Sequence, residues 1–220
     1  MRLLFAFLSI FLLTAAAPTR DWSTVTMRLP SGAMLTGNPA AKLKLVEYGS
    51  YTCSHCATFS TESEPVLKGQ MIRKGAVSLE YHHLVRDQFD LAAAILARCA
   101  GARDFSAASA AIYRGQEAWL AQAVDWQDKH PEVAGYPPAK RIRAAADGSG
   151  LTALMTKRGL TAKQVAACFA DTKAVDALVA MTGETPAEVT GTPTFYLNGT
   201  LLDVHDWGSL EPILRAKGAK

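Results

Sequence analysis

The chain has 220 residues, 49% of them hydrophobic and 20% charged, with a formal net charge of +3. That near-balance supplies no field for nucleic acid or a membrane surface, so those partner classes are set aside. The length suits one domain with an insertion, or two small domains, and is enough to bury a substantial core.

The first segment is Met1-Arg2, an apolar run from Leu3 to Leu13, and a small-residue end at Ala15-Ala16-Ala17. This pattern predicts a secretory signal peptide over residues 1–17, cleaved after Ala17. A membrane anchor would need about 20 apolar residues. Export to the periplasm would place the four cysteines, Cys53, Cys56, Cys99 and Cys168, where disulfides persist.

Val25 to Leu29 alternates apolar and polar residues and predicts a strand. Pro30-Ser31-Gly32 ends it, and Leu35 to Pro39 reads as a second turn-rich patch. Leu43 to Tyr48 is apolar enough for a buried central strand. A helix is expected from about Ser54 to Arg73, kinked or divided at Pro65. Ala76 to His82 alternates again. Strand, helix and strand in this order predict a parallel βαβ unit.

From Phe89 to Met181 strand patterns vanish and alanine-rich helical ones recur. Helices are expected over 90–100, 104–115, 138–146, 151–158 and 161–181, the last interrupted near Ala170-Asp171. Thr161 and Gln164 have capping-box spacing. The stretch from Gly115 to Pro138 carries no clear pattern. Strands resume at Thr194–Leu197 and Thr200–Asp203 around an Asn198-Gly199 hairpin turn. Asp206 can cap a final helix with Trp207, Leu210, Ile213 and Leu214 on one face. The expected order is β-β-α-β, a helical block, then β-β-α. The class is α/β, a mixed sheet flanked by helices with an inserted all-helical subdomain. The sheet domain takes residues 18–88 and 182–220, and the insertion 89–181.

The chemistry concentrates at Cys53-Ser54-His55-Cys56. The first cysteine falls where a strand and a Gly/Ser turn meet the start of a helix. Free backbone N–H groups and the helix dipole stabilise a thiolate there. A protonated His55 would add to that effect. A stabilised thiolate leaves readily, which biases the pair towards oxidation of others. Zinc is the competing use, but a zinc site needs four ligands. Cys99 and Cys168 stand alone, and His82-His83 are adjacent on a strand, so they point to opposite faces. His130 and His205 have no metal-binding spacing either, and no metal or other cofactor is expected.

At this point the chain resembles the DsbA-like disulfide oxidoreductases, thioredoxin-fold proteins with a helical insertion. The resemblance runs from about Val25 to Leu214. It rests on Val46-Glu47-Tyr48 ahead of the cysteines, on Cys-x-His-Cys, and on Gly191-Thr192-Pro193-Thr194-Phe195. It implies that Cys53 is the exposed nucleophile, Cys56 the buried resolving thiol and His55 a thiolate-stabilising residue. Pro193 would be cis, and the backbone of Thr192 would pair with an extended substrate, a recognition mode that reads no sequence. Glu47 matches the family's buried acid; facing inward it would exchange a proton with Cys56, although strand alternation alone allows either face. Some family members carry a second disulfide in the insertion, which makes Cys99 and Cys168 a candidate pair. Two separate buried thiols remain the other reading until their Cα separation is known.

The implied activity is donation of a disulfide to reduced or unfolded exported proteins, with a membrane quinone-linked reoxidase as partner and the chain acting as a monomer. Two residues depart from the best-known oxidases. Ser54 stands where they have proline, and Thr192 where they have valine. Thr before the cis-proline also occurs in the isomerase branch, so reductase or isomerase action is the first alternative. Capture of copper or zinc by the Cys53–Cys56 dithiolate is the second.

Overall fold

The computed structural model describes residues 20–220, and the signal peptide expected over 1–17 lies outside them. Six strands form one sheet in the order β1-β2-β4-β3-β5-β6. They are β1 (Thr26–Arg28), β2 (Met34–Gly37), β3 (Leu43–Gly49), β4 (Val77–His83), β5 (Thr194–Leu197) and β6 (Thr200–Leu202). Strands β3 and β4 are parallel and the other neighbours antiparallel. The mixed sheet and the βαβ unit are therefore as expected, with one strand more than the sequence suggested.

That extra strand is β2, which lies in the patch expected to be turns. Short-range signals favour a turn, since Pro30, Gly32, Gly37 and Pro39 flank or enter it. Pairing on both sides overrides them. Met34 to Gly37 pair with β4, Met34 to Thr36 also pair with β1, and all four residues are buried. Gly37 has φ 116°, and a Cβ there would lie 3.1 Å from the Val77 carbonyl oxygen, so this position admits only glycine.

Helix α1 (Ser54–Ser63) follows β3 and continues as a π-helical segment over Glu64–Ile72. The expected break at Pro65 takes this form. A proline without an N–H cannot close the usual i→i−4 bond, and the widened turn accommodates the gap. Between β4 and β5 every element is helical. These are α2 (Gln88–Cys99), α3 (Gly101–Arg114), α4 (Gln116–Lys129), α5 (Pro138–Gly148), α6 (Leu151–Lys157), α7 (Ala162–Ala170) and α8 (Thr172–Gly183). Helix α9 (Trp207–Ala216) closes the chain.

Helix α4, with a 3-10 turn at Pro131–Gly135, fills the stretch that carried no clear pattern. It begins at Gly115 without a side-chain cap, so no local start signal exists. Trp119 and Ala123 face the core, and Trp126 packs edge-on against Phe89 and stacks on His130.

Two apolar clusters hold the molecule. One lies on the sheet and includes Leu45, Phe59, Met71, Phe195, Trp207, Leu210 and Leu214. The other is centred on α2, which is buried at every residue from Phe89 to Ala97. A helix apolar all round is the core of its surroundings. Cys53 and Cys56 belong to this second cluster and Phe59 to the first, so α1 is wedged between the two. Cys99, the last residue of α2, is disulfide-bonded to Cys168 of α7, with Cα atoms 5.8 Å apart. Among the described residues no helix is long and apolar enough to cross a membrane.

Candidate active site

Strand β3 delivers the chain to the site through Ser50, Tyr51 and Thr52. Cys53 then occupies the N-cap of α1 in extended conformation, and the Cys53 N–H donates to the Ser50 carbonyl (3.2 Å). Both cysteines are free thiols; Cys53, expected to be exposed, is only 5% exposed because it is packed under the Thr192–Pro193 loop, and Cys56 is fully buried as expected. Proximity and donors make the pair unequal. Hydrogen bonding from the Cys56 thiol, above all, draws Cys53 down to about 5, against the opposing effect of burial. The Thr192 hydroxyl and the backbone N–H groups of Cys56 and His55 add to it. This is the free end of a helix acting on an anion. Donating to Cys53, together with burial and the nearby Glu47 carboxylate, holds Cys56 far above the ordinary thiol range.

His55 and Ser54 are exposed. The contribution of His55 to the Cys53 sulfur comes from its backbone N–H, and its imidazole has no hydrogen-bond partner among the described residues. Across the site the Thr192–Pro193 peptide bond is cis. The Thr192 carbonyl oxygen lies 3.1 Å from Cys53 Sγ and accepts from the thiol form, so it works against the thiolate and is outweighed by the donors. Thr192 is half-buried and Pro193 buried, and the Pro193 carbonyl is 3.0 Å from His205 Nδ1.

Glu47 lies mid-strand on β3, between Tyr81 of β4 and Phe195 of β5. Alternation puts its side chain on the same inward face as Leu43 and Leu45, and it is 3% exposed. Burial first, and the Cys53 charge second, push its carboxyl up to about 8. It borders a cavity of about 80 Å³ shared with Ser63, Lys68, Tyr81 and Tyr113. A group that holds a proton at neutral pH beside a buried thiol can give or take one there.

The structure thus brings Cys53, Cys56, Glu47, Thr192 and Pro193 together, with Ser54 and His55 on the exposed rim. Cys99 and Cys168 sit apart, in the helical block. Among the described residues no three His, Cys, Asp or Glu side chains gather as a metal site requires.

Two residues at the site had no signal in the sequence. Asp90, 1% exposed in the first turn of α2, accepts from Ser50 Oγ (2.5 Å), Tyr51 N (2.7 Å) and Arg86 N (3.0 Å). Burial nevertheless pushes its carboxyl up to about 6. Gln116, buried at the start of α4, donates from Nε2 to the carbonyls of Tyr51 (2.7 Å) and Cys53 (2.9 Å). The sequence offers Asp90 only as the start of a helix, and Gln116 falls in the stretch that carries no clear pattern.

A dithiol at a helix N-terminus, set after a central strand and facing a cis-proline loop, defines a thioredoxin-fold protein. A family described as Thioredoxin matches residues 30–216, and the chain belongs to it. The protein-disulfide isomerase from Novosphingobium aromaticivorans is 35% identical, with a TM-score of 0.77 over 83% of this chain and 95% of that one. Wolbachia pipientis alpha-DsbA1 is 20% identical, with a TM-score of 0.67 over 86% and 91%, and shares the fold with its helical block. A putative protein-disulfide oxidoreductase from Rickettsia bellii is 27% identical over 190 residues, which are 84% of this chain and 64% of that protein. The chain therefore spans less than two thirds of the length of this curated relative.

Proposed function

We propose that this chain is an exported thiol-disulfide oxidoreductase that donates the Cys53–Cys56 disulfide to reduced client proteins. The observation that carries this reading is the inequality of the two sulfurs, a Cys53 thiolate stabilised to about 5 beside a buried Cys56 thiol. A client thiolate attacks Cys53 Sγ. The Cys53–Cys56 bond breaks and its electron pair goes to Cys56, which takes a proton from Glu47. A second client thiolate then attacks the client sulfur of the mixed disulfide. Cys53 leaves as the stabilised thiolate, and the client gains a disulfide while the enzyme gains two electrons. Stabilising the leaving thiolate stabilises the reduced enzyme and so makes the oxidised enzyme a stronger oxidant.

Thr192 and Pro193 supply the edge against which a client backbone lies, with Ser54 and His55 beside it. In this reading residues 1–17 direct export to the periplasm, residues 18–88 and 182–220 form the catalytic domain, and 89–181 are its insertion. The enzyme acts as a monomer without a cofactor and is returned to its disulfide form by a membrane quinone-linked reoxidase.

One observation favours isomerase action instead: the 35%-identical solved relative from Novosphingobium aromaticivorans is a protein-disulfide isomerase. Equilibration with glutathione buffers separates the two. A potential near about −120 mV, with fast oxidation of a reduced client, is expected of the oxidase. A potential near about −180 mV, with activity only on scrambled disulfides, would replace it with the isomerase reading.

A further inference from the structure

The helical block reaches into the site through the turn from Ser50 to Cys53, and most of all through Tyr51. Its N–H donates to Asp90 Oδ1 of α2 (2.7 Å), and its carbonyl accepts from Gln116 Nε2 of α4 (2.7 Å). Its hydroxyl donates to Ser109 Oγ of α3 (3.0 Å), and the side chain is fully buried. Three helices therefore grip one residue of the turn that carries Cys53. Tyr113, at the end of α3, adds a hydroxyl to the Ser50 carbonyl (3.3 Å), the same oxygen that accepts from the Cys53 N–H.

Gln116 links this grip to the reacting residue. An amide nitrogen has two N–H groups, and both are used, one on Tyr51 and one on Cys53. The Cys53 carbonyl also accepts the Ala57 N–H (3.2 Å), the first hydrogen bond of α1. A single side chain thus fixes the spacing of two carbonyls two residues apart and the entry angle of the helix whose N–H groups face the Cys53 sulfur. We propose that Gln116 is a positioning residue for Cys53, and that the helical block, through Gln116 and Asp90, braces the turn from Ser50 to Cys53 in the geometry that favours the thiolate.

The proposal deepens the oxidoreductase reading but is tested on the thiol itself. Gln116→Met keeps the volume and removes both donors without changing charge. Asp90 is left in place, because its substitution would change a charge near Cys53. Thiolate absorbance and alkylation rate are followed against pH in the full chain. Trp119→Phe serves as the control: Trp119 Nε1, on the same helix as Gln116, donates to the Ile112 carbonyl of α3 (2.9 Å), a buried bond that does not touch the turn.

Gln116→Met is expected to move the Cys53 transition upward by about one pH unit, a tenfold loss of thiolate on its acid side. Trp119→Phe is expected to lower stability and leave that transition where it is. If Gln116→Met lowers stability but does not move the transition, Gln116 only satisfies buried carbonyls and the proposal falls. It falls equally if both variants move the transition alike, since that would report general loosening. Should Gln116→Met not fold, Gln116→Asn carries the same comparison, because the shorter stem reaches one carbonyl at most. A wild-type protein that exchanges no disulfides would overturn the oxidoreductase reading and leave this comparison standing.

Discussion

Two residues set the protonic behaviour of the site. A disulfide takes up two electrons on reduction, and the number of protons that follow depends on the thiols formed. Below about 5 both Cys53 and Cys56 are protonated, and above it only Cys56 is. The midpoint potential of the pair is therefore expected to fall by about 59 mV per pH unit below that point and by about 30 mV above it. Potentiometry from pH 4 to 7 checks the break; a single slope throughout would mean that Cys53 has no stabilised thiolate. Glu47 acts on stability. In the oxidised protein there is no thiolate, but burial still raises its carboxyl above the ordinary 4.5. A raised carboxyl makes the folded state hold its proton more tightly. The resulting stability is fully present below about 4.5 and is lost as pH rises through the folded value, which lies at or below about 8. Asp90 contributes in the same direction but is spent by about 6. Oxidised wild type should thus weaken as pH rises from about 6 towards 8, by at most about 1.4 kcal/mol per unit. Glu47→Gln should lack this fall and keep only the opposing gain below about 7 that both proteins owe to buried His83, which the folded state holds neutral while the unfolded chain still binds a proton. Urea midpoints of the two proteins decide it, and parallel curves would remove Glu47 from the account.

At the scale of elements, the parts that local chemistry specifies were legible in advance. Thr161 and Gln164 form the capping box their spacing implies, and Asp171 caps α8 where the long helical pattern was expected to break. Asn198 and Gly199 both have positive φ, as a type I′ turn demands, and Asp206 caps α9. What stayed hidden was decided by contacts distant in sequence. Strand β2 exists because β1 and β4 claim both its edges, against its own turn residues. Helix α4 lacks a starting cap and is held by Trp119, Ala123 and Trp126 against α2 and its neighbours. The site divides the same way. A Cys-x-x-Cys after a strand and a Thr-Pro before one are local patterns and could be read. The roles of Asp90 and Gln116 lie 39 and 65 residues from Tyr51 and could not. Glu47 was half legible: its alternation with Leu43 and Leu45 fixed its face relative to theirs, but only the sheet shows which face is covered.

The whole molecule poses a question of division of labour, because the Cys99–Cys168 bridge encloses most of the helices that grip Tyr51. The bridge spans 69 residues, and Ser109, Tyr113 and Gln116 all lie inside it. A bridge over such a loop acts mainly by restricting the unfolded chain, contributing about 4 kcal/mol in the chain-entropy treatment. Its effect on the folded site should be small, since α2 is buried along Phe89 to Ala97, and that packing together with the hydrogen bonds from Ser50, Tyr51 and Arg86 holds Asp90 in place without it. Cys99→Ala/Cys168→Ala is therefore expected to lose roughly 4 kcal/mol in urea unfolding. The urea dependence should steepen, because an unbridged chain exposes more surface when it unfolds. The potential of the Cys53–Cys56 pair should not move. A stability loss with an unchanged potential would assign the bridge to the chain and the brace to packing and hydrogen bonds. A potential that shifted by about 30 mV or more, a tenfold change in the exchange equilibrium, would instead make the bridge part of the device that holds Tyr51 and Cys53.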